Sequence, residues 1–341
     1  DFLPDALRAR IGGRRATTSF LQRMPGARAH FRKLLPLFPR AIASLDVSSY
    51  DTIISISHAV AKGVRVREGQ RHLCYCLTPM RYAWDLRDQY FPRGSAAARL
   101  RPVADRVLDR LRDWDREASR GVDQFAAISN FIAQRIARAY GRPAQVIYPP
   151  VDTAFFRPGD MPPTRDYHFT ASRWVAYKRI DAIVAAFAQM PTRRLVVAGD
   201  GPDAARVRAL AGTNVQFVGE VPRERLRELM RNAQSFLFAA EEDFGIVPLE
   251  AQACGTPVIA YARGGALETI VAEGPQPTGV YFDAQTPAAI ADAVAALDAS
   301  AGRIDGADCR RNAERFGLPR FARDFAAFVC IPAGQNASGT R

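Results

Sequence analysis

No apolar run in this chain approaches the roughly 18 residues that a membrane-crossing helix needs. Cysteine and histidine are scarce too, at five and four residues. Cys74, Cys76, Cys254, Cys309 and Cys330 are odd in number and scattered, which argues against a disulfide framework and gives no zinc-type spacing. Cys74 and Cys76 alternate within a strand-like run and are expected in the core. The opening residues carry no signal-peptide pattern, so the expected location is cytoplasmic. Acid is the other deficit: 35 Asp and Glu stand against 47 Lys and Arg, a net charge of +12. Such an excess implies an anionic partner, whether nucleic acid, an anionic membrane or a phosphorylated substrate, and composition does not choose among them. Six of those net charges fall within residues 1–50, where nine basic residues (Arg8, Arg10, Arg14, Arg15, Arg23, Arg28, Arg32, Lys33, Arg40) meet three acids. Within that stretch FRKLLPL, Phe31 to Leu37, mixes basic and apolar residues, and Pro36 and Pro39 stop any long helix. It either lies peripherally on the inner face of the plasma membrane or packs on its own domain with a solvated basic side.

Apolar residues are plentiful, at 48% of 341 positions, enough for a large core and two domains. Tyr50 to Ser57 and His72 to Cys76 read as strands that deliver Ser57, His58, Thr78 and Arg81 to their carboxyl edge. Ser95 to Ser119 is helical in pattern, with Val103, Val107, Leu108, Leu111 and Trp114 at helical spacing. Asp113-Trp114-Asp115 inside it matches a metal-binding D-x-D, but residues two apart on a helix face different ways, so no metal site is expected there. Gln124 to Ile128 is a further strand, and Ser129 is expected to cap a helix from Asn130 to Tyr140. Pro149-Pro150 and the prolines at 158, 162 and 163 place a domain boundary near residue 150.

Beyond it, a strand near Tyr167 to Ala171 leads to SRWVAYKRID. Ile180, Ile183, Val184 and Phe187 stripe the following helix, which leaves Arg173 and Lys178 around its start, placed to neutralise a diphosphate. Leu195 to Ala198 and Val215 to Val218 are strands, and Leu226, Leu229, Met230 and Ala233 stripe a helix between the second of these and Phe236. Gly279 to Phe282 is a short strand, Pro287 to Leu297 a helix, and Phe316, Phe321, Phe325 and Phe328 stripe a last helix. The repeating β-α order implies a parallel, doubly covered sheet.

The stretch Phe236 to Ile270, FLFAAEEDFGIVPLEAQACGTPVIAYARGGALETI, organises the chain. Phe236 to Phe238 suits a buried strand, Pro248 the first turn of a helix starting near Val247, Gly255 a left-handed end, and Val258 to Tyr261 the next strand. Glu242 and Glu250 then lie near the carboxyl edge of a parallel sheet, where open α/β folds bind ligands. Phe244, Gly245, Ile246 and Val247 bring N–H groups to a helix N-terminus, which favours phosphate. A phosphorylated sugar fits both features, with one acid each for hexose and ribose hydroxyls. Two surface acids that merely favour a helix start would give the same spacing.

Two glutamates with seven residues between them, then GTPVIA and a GG-x-x-E loop, resemble the donor site of retaining GT-B glycosyltransferases of family 4. The wording over about thirty residues is similar to bacterial mannosyltransferases that use GDP-mannose to build O-antigen and exopolysaccharide units on a lipid carrier. The resemblance implies an α/β GT-B fold, two Rossmann-like doubly wound domains facing across a cleft. It places an acceptor-side domain at 1–150, a nucleotide-sugar domain at 151–315, a helix at 316–330 that crosses back, and a disordered tail at 331–341. It also implies an opening strand and glycine-rich loop, and Gly12 and Gly13 among arginines are neither, so the N-terminal domain is expected to be incomplete. Glu242, Arg173 and Lys178 are implied as catalytic. Gly199, Val218, Gly219, Asp243, Phe244, Gly245, Ile246, Val247 and Glu250 are implied to hold the donor, and Glu268 is a third acid of the pattern or a support for its loop. His58, Thr78 and Arg81 are the acceptor-side candidates, although Leu77 stands where relatives often carry histidine. The reaction implied is retaining transfer of mannose from GDP-mannose to a lipid-linked saccharide, with no metal, no other cofactor and no nucleic acid. The alternatives are the same fold with a UDP-sugar, a sugar-nucleotide epimerase, or a non-catalytic protein that binds membrane or nucleic acid.

Overall fold

The computed structural model describes residues 12–13, 16–84, 101–300 and 302–330. Arg8, Arg10, Arg14, Arg15, the first residues of the helix read from Ser95, and the tail from 331 lie outside them. The chain divides into two compact units. Among the described residues, the first runs to Ile128 and takes Ile132–Val146 and the chain from Phe328 on, and the second takes Ser129–Phe131 and Ile147–Ala327.

In the first unit, the short helices Ala27–His30 (α1) and Phe38–Ala43 (α2) flank a 3-10 segment, Phe31–Leu37, with Pro36 inside it. Four parallel strands follow in sequence order: Thr52–Ser57 (β1), Arg71–Cys76 (β2), Gln124–Ala127 (β3) and Ala144–Val146 (β4). β1 alternates exposed and buried residues, whereas Leu73 to Cys76 of β2 are all buried, as a central parallel strand requires. Cys74 and Cys76 are core residues. The helices are Arg101–Arg120 (α3) and Asn130–Tyr140 (α4). Leu108 and Leu111 of α3 pack with Met80 and Ala83.

The second sheet has the order β10-β9-β8-β5-β6-β7, all parallel. Its strands are His168–Ala171 (β5), Leu195–Ala198 (β6), Val215–Gly219 (β7), Ser235–Phe238 (β8), Val258–Tyr261 (β9) and Gly279–Phe282 (β10). The helices are Ile180–Ala188 (α5), Ala204–Ala209 (α6), Arg223–Asn232 (α7), Ile246–Ala253 (α8), Ala266–Thr269 (α9), Pro287–Ala299 (α10), Gly306–Glu314 (α11) and Leu318–Cys330 (α12). On one face Ile183 and Phe187 of α5 and Ile290 and Val294 of α10 pack on Leu195, Val197, Leu237 and Ile259. Each such side chain contributes about 1.5–3 kcal/mol by burial. On the other face α8 packs against α7 and α11. The short turns α6 and α9 and the polar helix α11 carry no long apolar stripe, so sequence periodicity passes over them. Phe316 is buried but precedes α12, correcting the expected four-phenylalanine stripe. Arg71 donates to the carbonyls of Phe328 and Val329 at the end of α12.

Candidate active site

The second unit begins its sheet at the centre. β6 and β7 lie on one side of β5, and β8, β9 and β10 on the other. Where strand order reverses in this way, the loops after the two central strands part and leave a crevice beyond their carboxyl ends. The ladder joining them is short, His168↔Ser235 and Phe169↔Phe236. Arg173 and Lys178 follow β5, and Glu242 follows β8.

Lys178 closes a single 3-10 turn, Ala176–Lys178, and Arg179 behind it adopts φ 54, a left-handed conformation reached without glycine. Such a residue costs about 1–3 kcal/mol and tends to sit at functional sites. Here it turns Lys178 out of α5. The ammonium is ion-paired with the Glu242 carboxylate, the two side chains being 17% and 20% exposed. Sequence spacing assigns these groups to separate parts of a ligand, and the fold brings them into contact. Arg173 is exposed, and its guanidinium makes no hydrogen bond or ion pair among the described residues. Next to it Trp174 is fully buried and donates from Nε1 to the Ala198 carbonyl at 3.2 Å.

Two glycine turns fix the loops. A Cβ at Gly199 would sit 1.9 Å from the Ser172 carbonyl oxygen, so this turn packs directly on the Arg173 loop. The Gly199 N–H donates to the carbonyl of Gly219, which ends β7, while Val218 is half-buried within that strand. Across the crevice Gly264 bridges to Glu242, and the Gly265 N–H donates to the Glu242 carbonyl at 2.7 Å. Added Cβ atoms there would stand 2.3 Å from Glu242 O and 2.3 Å from Phe244 Cα, which explains the paired glycines.

The acid loop continues into α8. Asp243 is buried, and its carbonyl accepts from Ser129 Oγ at 2.6 Å. That donation leaves the lone pairs of the Ser129 hydroxyl available to α4. The N–H groups of Asn130 and Phe131, at the start of α4, donate to Glu268. The Phe244 ring is buried against Tyr148 and Phe316, with centroids 5.7 Å from each. Of this expected donor residue, the backbone is what remains to meet a ligand. Gly245, at φ 90, caps α8 without a side-chain hydrogen bond, so no cap side chain covers the first N–H groups at Ile246 and Val247. Gly255 ends the helix at φ 83 as expected.

Glu250 lies half-buried in α8. Burial pushes its carboxyl up to about 7, Arg223 pulling it down and Asp152 pushing it further up. Arg223 and Asp152 are themselves paired at 3.0 Å. In the first unit His58, Thr78 and Arg81 follow the carboxyl ends of the neighbouring strands β1 and β2, tied by Leu77 N–H to Ser57 O at 2.8 Å. His58 is exposed, whereas Thr78 is buried with its hydroxyl lacking a hydrogen-bond partner among the described residues. The D-x-D pair lies on α3, and Asp115 is committed to Lys62, Trp84 Nε1 and Tyr140 OH. Sequence reading missed Tyr148 and Asn130, whose only sign was polar character beside a strand end.

Residues 152–316 match the glycosyl transferases group 1 family. Among curated relatives, the chain is 33% identical to the GDP-mannose-dependent alpha-(1-6)-phosphatidylinositol monomannoside mannosyltransferase of Mycobacterium tuberculosis, over 58% of this chain and 56% of that protein. It is 36% identical to the D-inositol 3-phosphate glycosyltransferase of Acidothermus cellulolyticus, over 45% of this chain and 40% of that one. The chain spans about half the length of the curated relatives it matches. Of solved structures, sucrose-phosphate synthase from Thermosynechococcus elongatus superposes with a TM-score of 0.68 at 22% identity, covering 88% of this chain and 78% of that one. HepE of Anabaena, solved with UDP and glucose, gives 0.62 at 18% identity over 89% and 83%. These likenesses establish a GT-B fold. Residues 152–316 are therefore a domain of the glycosyl transferases group 1 family, and the reversal in its sheet brings Lys178 and Glu242 together.

Proposed function

We propose that the protein transfers mannose from GDP-mannose to a lipid-linked saccharide, with retention of configuration. The observation that carries this reading is the Lys178–Glu242 pair at the switch point, with Arg173 on the same β5–α5 connection. A nucleoside diphosphate leaving group gains negative charge as the glycosidic bond breaks. Lys178, Arg173 and the start of α8 are preorganised cationic or N–H groups suited to that charge, a role a metal ion fills elsewhere. Glu242, once its lysine turns to the diphosphate, is left to hold the hexose hydroxyls and to balance positive charge at the anomeric carbon. Glu250 takes the ribose hydroxyls. His58, Thr78 and Arg81 are the acceptor-side groups of the proposal.

The mannose donor and lipid acceptor draw support from the mycobacterial relative, whose name gives both. Exposed Phe20 and Phe31 in the basic N-terminal stretch suit an approach to an anionic membrane surface. Incubation with radiolabelled GDP-mannose, UDP-glucose and UDP-N-acetylglucosamine, with lipid-linked saccharides as acceptors, tests the proposal. Transfer from GDP-mannose alone is expected. Transfer from a UDP-sugar alone would overturn the donor assignment, and label confined to water-soluble products would overturn the acceptor.

A further inference from the structure

α8 has no side-chain cap, and the loop that leads into it carries Glu242. Three contacts hold that loop. Gly265 N–H holds the Glu242 carbonyl at 2.7 Å, Ser129 Oγ holds the Asp243 carbonyl at 2.6 Å, and Tyr148 stacks on Phe244 with rings inclined by 25°. The three anchors come from distant parts of the sequence. One carboxylate joins them. Glu268 Oε2 accepts from Asn130 N–H and Nδ2, each at 2.8 Å, and from Tyr148 OH at 3.0 Å, while Oε1 accepts from Phe131 N–H at 2.9 Å. Its own N–H donates to the Gly265 carbonyl at 3.0 Å. Thus Glu268 binds the neighbours of Ser129, binds Tyr148 directly, and sits one turn from Gly265.

We propose that Glu268 is a positioning residue for Glu242: by tying Ser129–Phe131, Tyr148 and the Gly264–Gly265 turn together, it fixes the acid loop at its productive height in the crevice. The inference rests on the catalytic reading of Glu242 given above. Only an ionised carboxylate serves this node, because two oxygens carry up to four lone-pair acceptors and no proton. Glutamine would turn an NH2 group towards donors it cannot satisfy. Tyr148 remains a donor to it, since burial, followed by the charge of Glu268, raises the phenol. A loop freed by even about 1 Å loses on the order of a hundredfold in rate without losing its ligand contacts elsewhere.

The test compares the wild type with Glu268→Gln and Ser129→Ala in the full chain. For Glu268→Gln, kcat for mannose transfer should fall roughly ten- to a hundredfold, with KM for GDP-mannose and the GDP dissociation constant within about threefold. Ser129→Ala should move kcat in the same direction by less. Hydrogen exchange read by mass spectrometry supplies a measure independent of turnover: amides of residues 241–246 should exchange faster in Glu268→Gln, while β5, β6 and α5 stay protected. Unchanged exchange in that loop overturns the proposal, as does a kcat within threefold of the parent. A fall in kcat matched by an equal loss of GDP binding would make Glu268 a donor-site or folding residue instead. Absence of transfer by the wild type counts against the mannose reading alone, because the exchange measurement still decides the role of Glu268.

Discussion

The two units each hold a lysine–carboxylate ion pair, and the pairs differ in everything except their chemistry. Lys62 and Asp115 in the first unit are 1% and 0% exposed. Asp115 also accepts from Trp84 Nε1 at 2.8 Å and Tyr140 OH at 2.7 Å, and Lys62 donates to the Ala59 carbonyl and lies 5.1 Å from the Tyr140 ring centroid. Three donors hold the Asp115 carboxylate, and both side chains are closed to solvent. Lys178 and Glu242 in the second unit are 17% and 20% exposed, at the carboxyl edge of a sheet whose strand order reverses. That pair has unspent capacity on both sides. Burial and completeness, rather than the pairing of charges, separate a structural ion pair from one that can exchange its partner for a ligand.

The largest expected effect is on the closed pair. Asp115→Ala leaves an uncompensated ammonium among aromatic rings, which costs about 3–5 kcal/mol for such a break. Urea unfolding should show that loss, while Lys178→Ala should move stability by no more than about 1 kcal/mol, since solvent still reaches this pair and can hydrate the carboxylate left behind. Equal losses in the two variants would erase the distinction.

Turnover should show the reverse order. Lys178→Ala is expected to lower kcat by about two to three orders of magnitude, or 2.7–4 kcal/mol, and to raise the donor KM less, because the leaving diphosphate gains charge in the transition state. Lys178→Met, which restores length without charge, should not rescue it. A kcat within threefold of the parent at saturating donor would reduce Lys178 to a solvated residue beside a carboxylate.

Most of the scaffold was legible in sequence because the signals were local. The apolar runs at Leu195–Ala198 and Gly279–Phe282 and the β-branched stretch at Val258–Tyr261 are strands at those bounds. Gly255 sits past a helix end and Pro248 in its first turn. What escaped reading depends on contacts between residues far apart in the chain. Ser129 has the chemistry of a helix cap, but that its hydroxyl also donates to Asp243, 114 positions away, and that Glu268 takes the Asn130 N–H from 138 positions away cannot be read locally. The need for glycine at 199, 264 and 265 comes from a second backbone lying against each, and the sequence of one loop does not reveal the other. The pairing of Lys178 with Glu242 is of the same kind, since it follows from β5 and β8 being neighbours.

Glu250 gives a smaller effect that sharpens the comparison, since it is a half-buried carboxyl group that makes no ion pair among the described residues. Removing it should weaken GDP binding by roughly tenfold or more, a charge-assisted hydrogen bond to ribose being worth about 1.5–3 kcal/mol. An unchanged dissociation constant by calorimetry in a folded Glu250→Ala variant would end the ribose assignment.

The smallest expected effect is the pH dependence of the same residue. Burial raises the Glu250 carboxyl to about 7 from its ordinary value near 4.5. A carboxyl raised on folding contributes stability that is fully present below about 4.5 and is lost as pH rises through about 7, because the charged form is the one burial disfavours. Ligand binding runs the other way. Ribose hydroxyls donate to the carboxylate, so the donor binds the ionised form and must expel a proton at low pH. With a free-protein value of about 7, affinity should be about tenfold weaker at pH 6 than at pH 8. The measurement is best made with GDP-mannose, because the terminal phosphate of GDP itself titrates near pH 6. Glu250→Gln provides the control: it removes the titrating group and should flatten the profile between those two values. A slope that persists in Glu250→Gln would assign the proton to another group in the crevice, and a flat profile in the parent would mean that the ribose does not distinguish the charged carboxylate from the neutral acid.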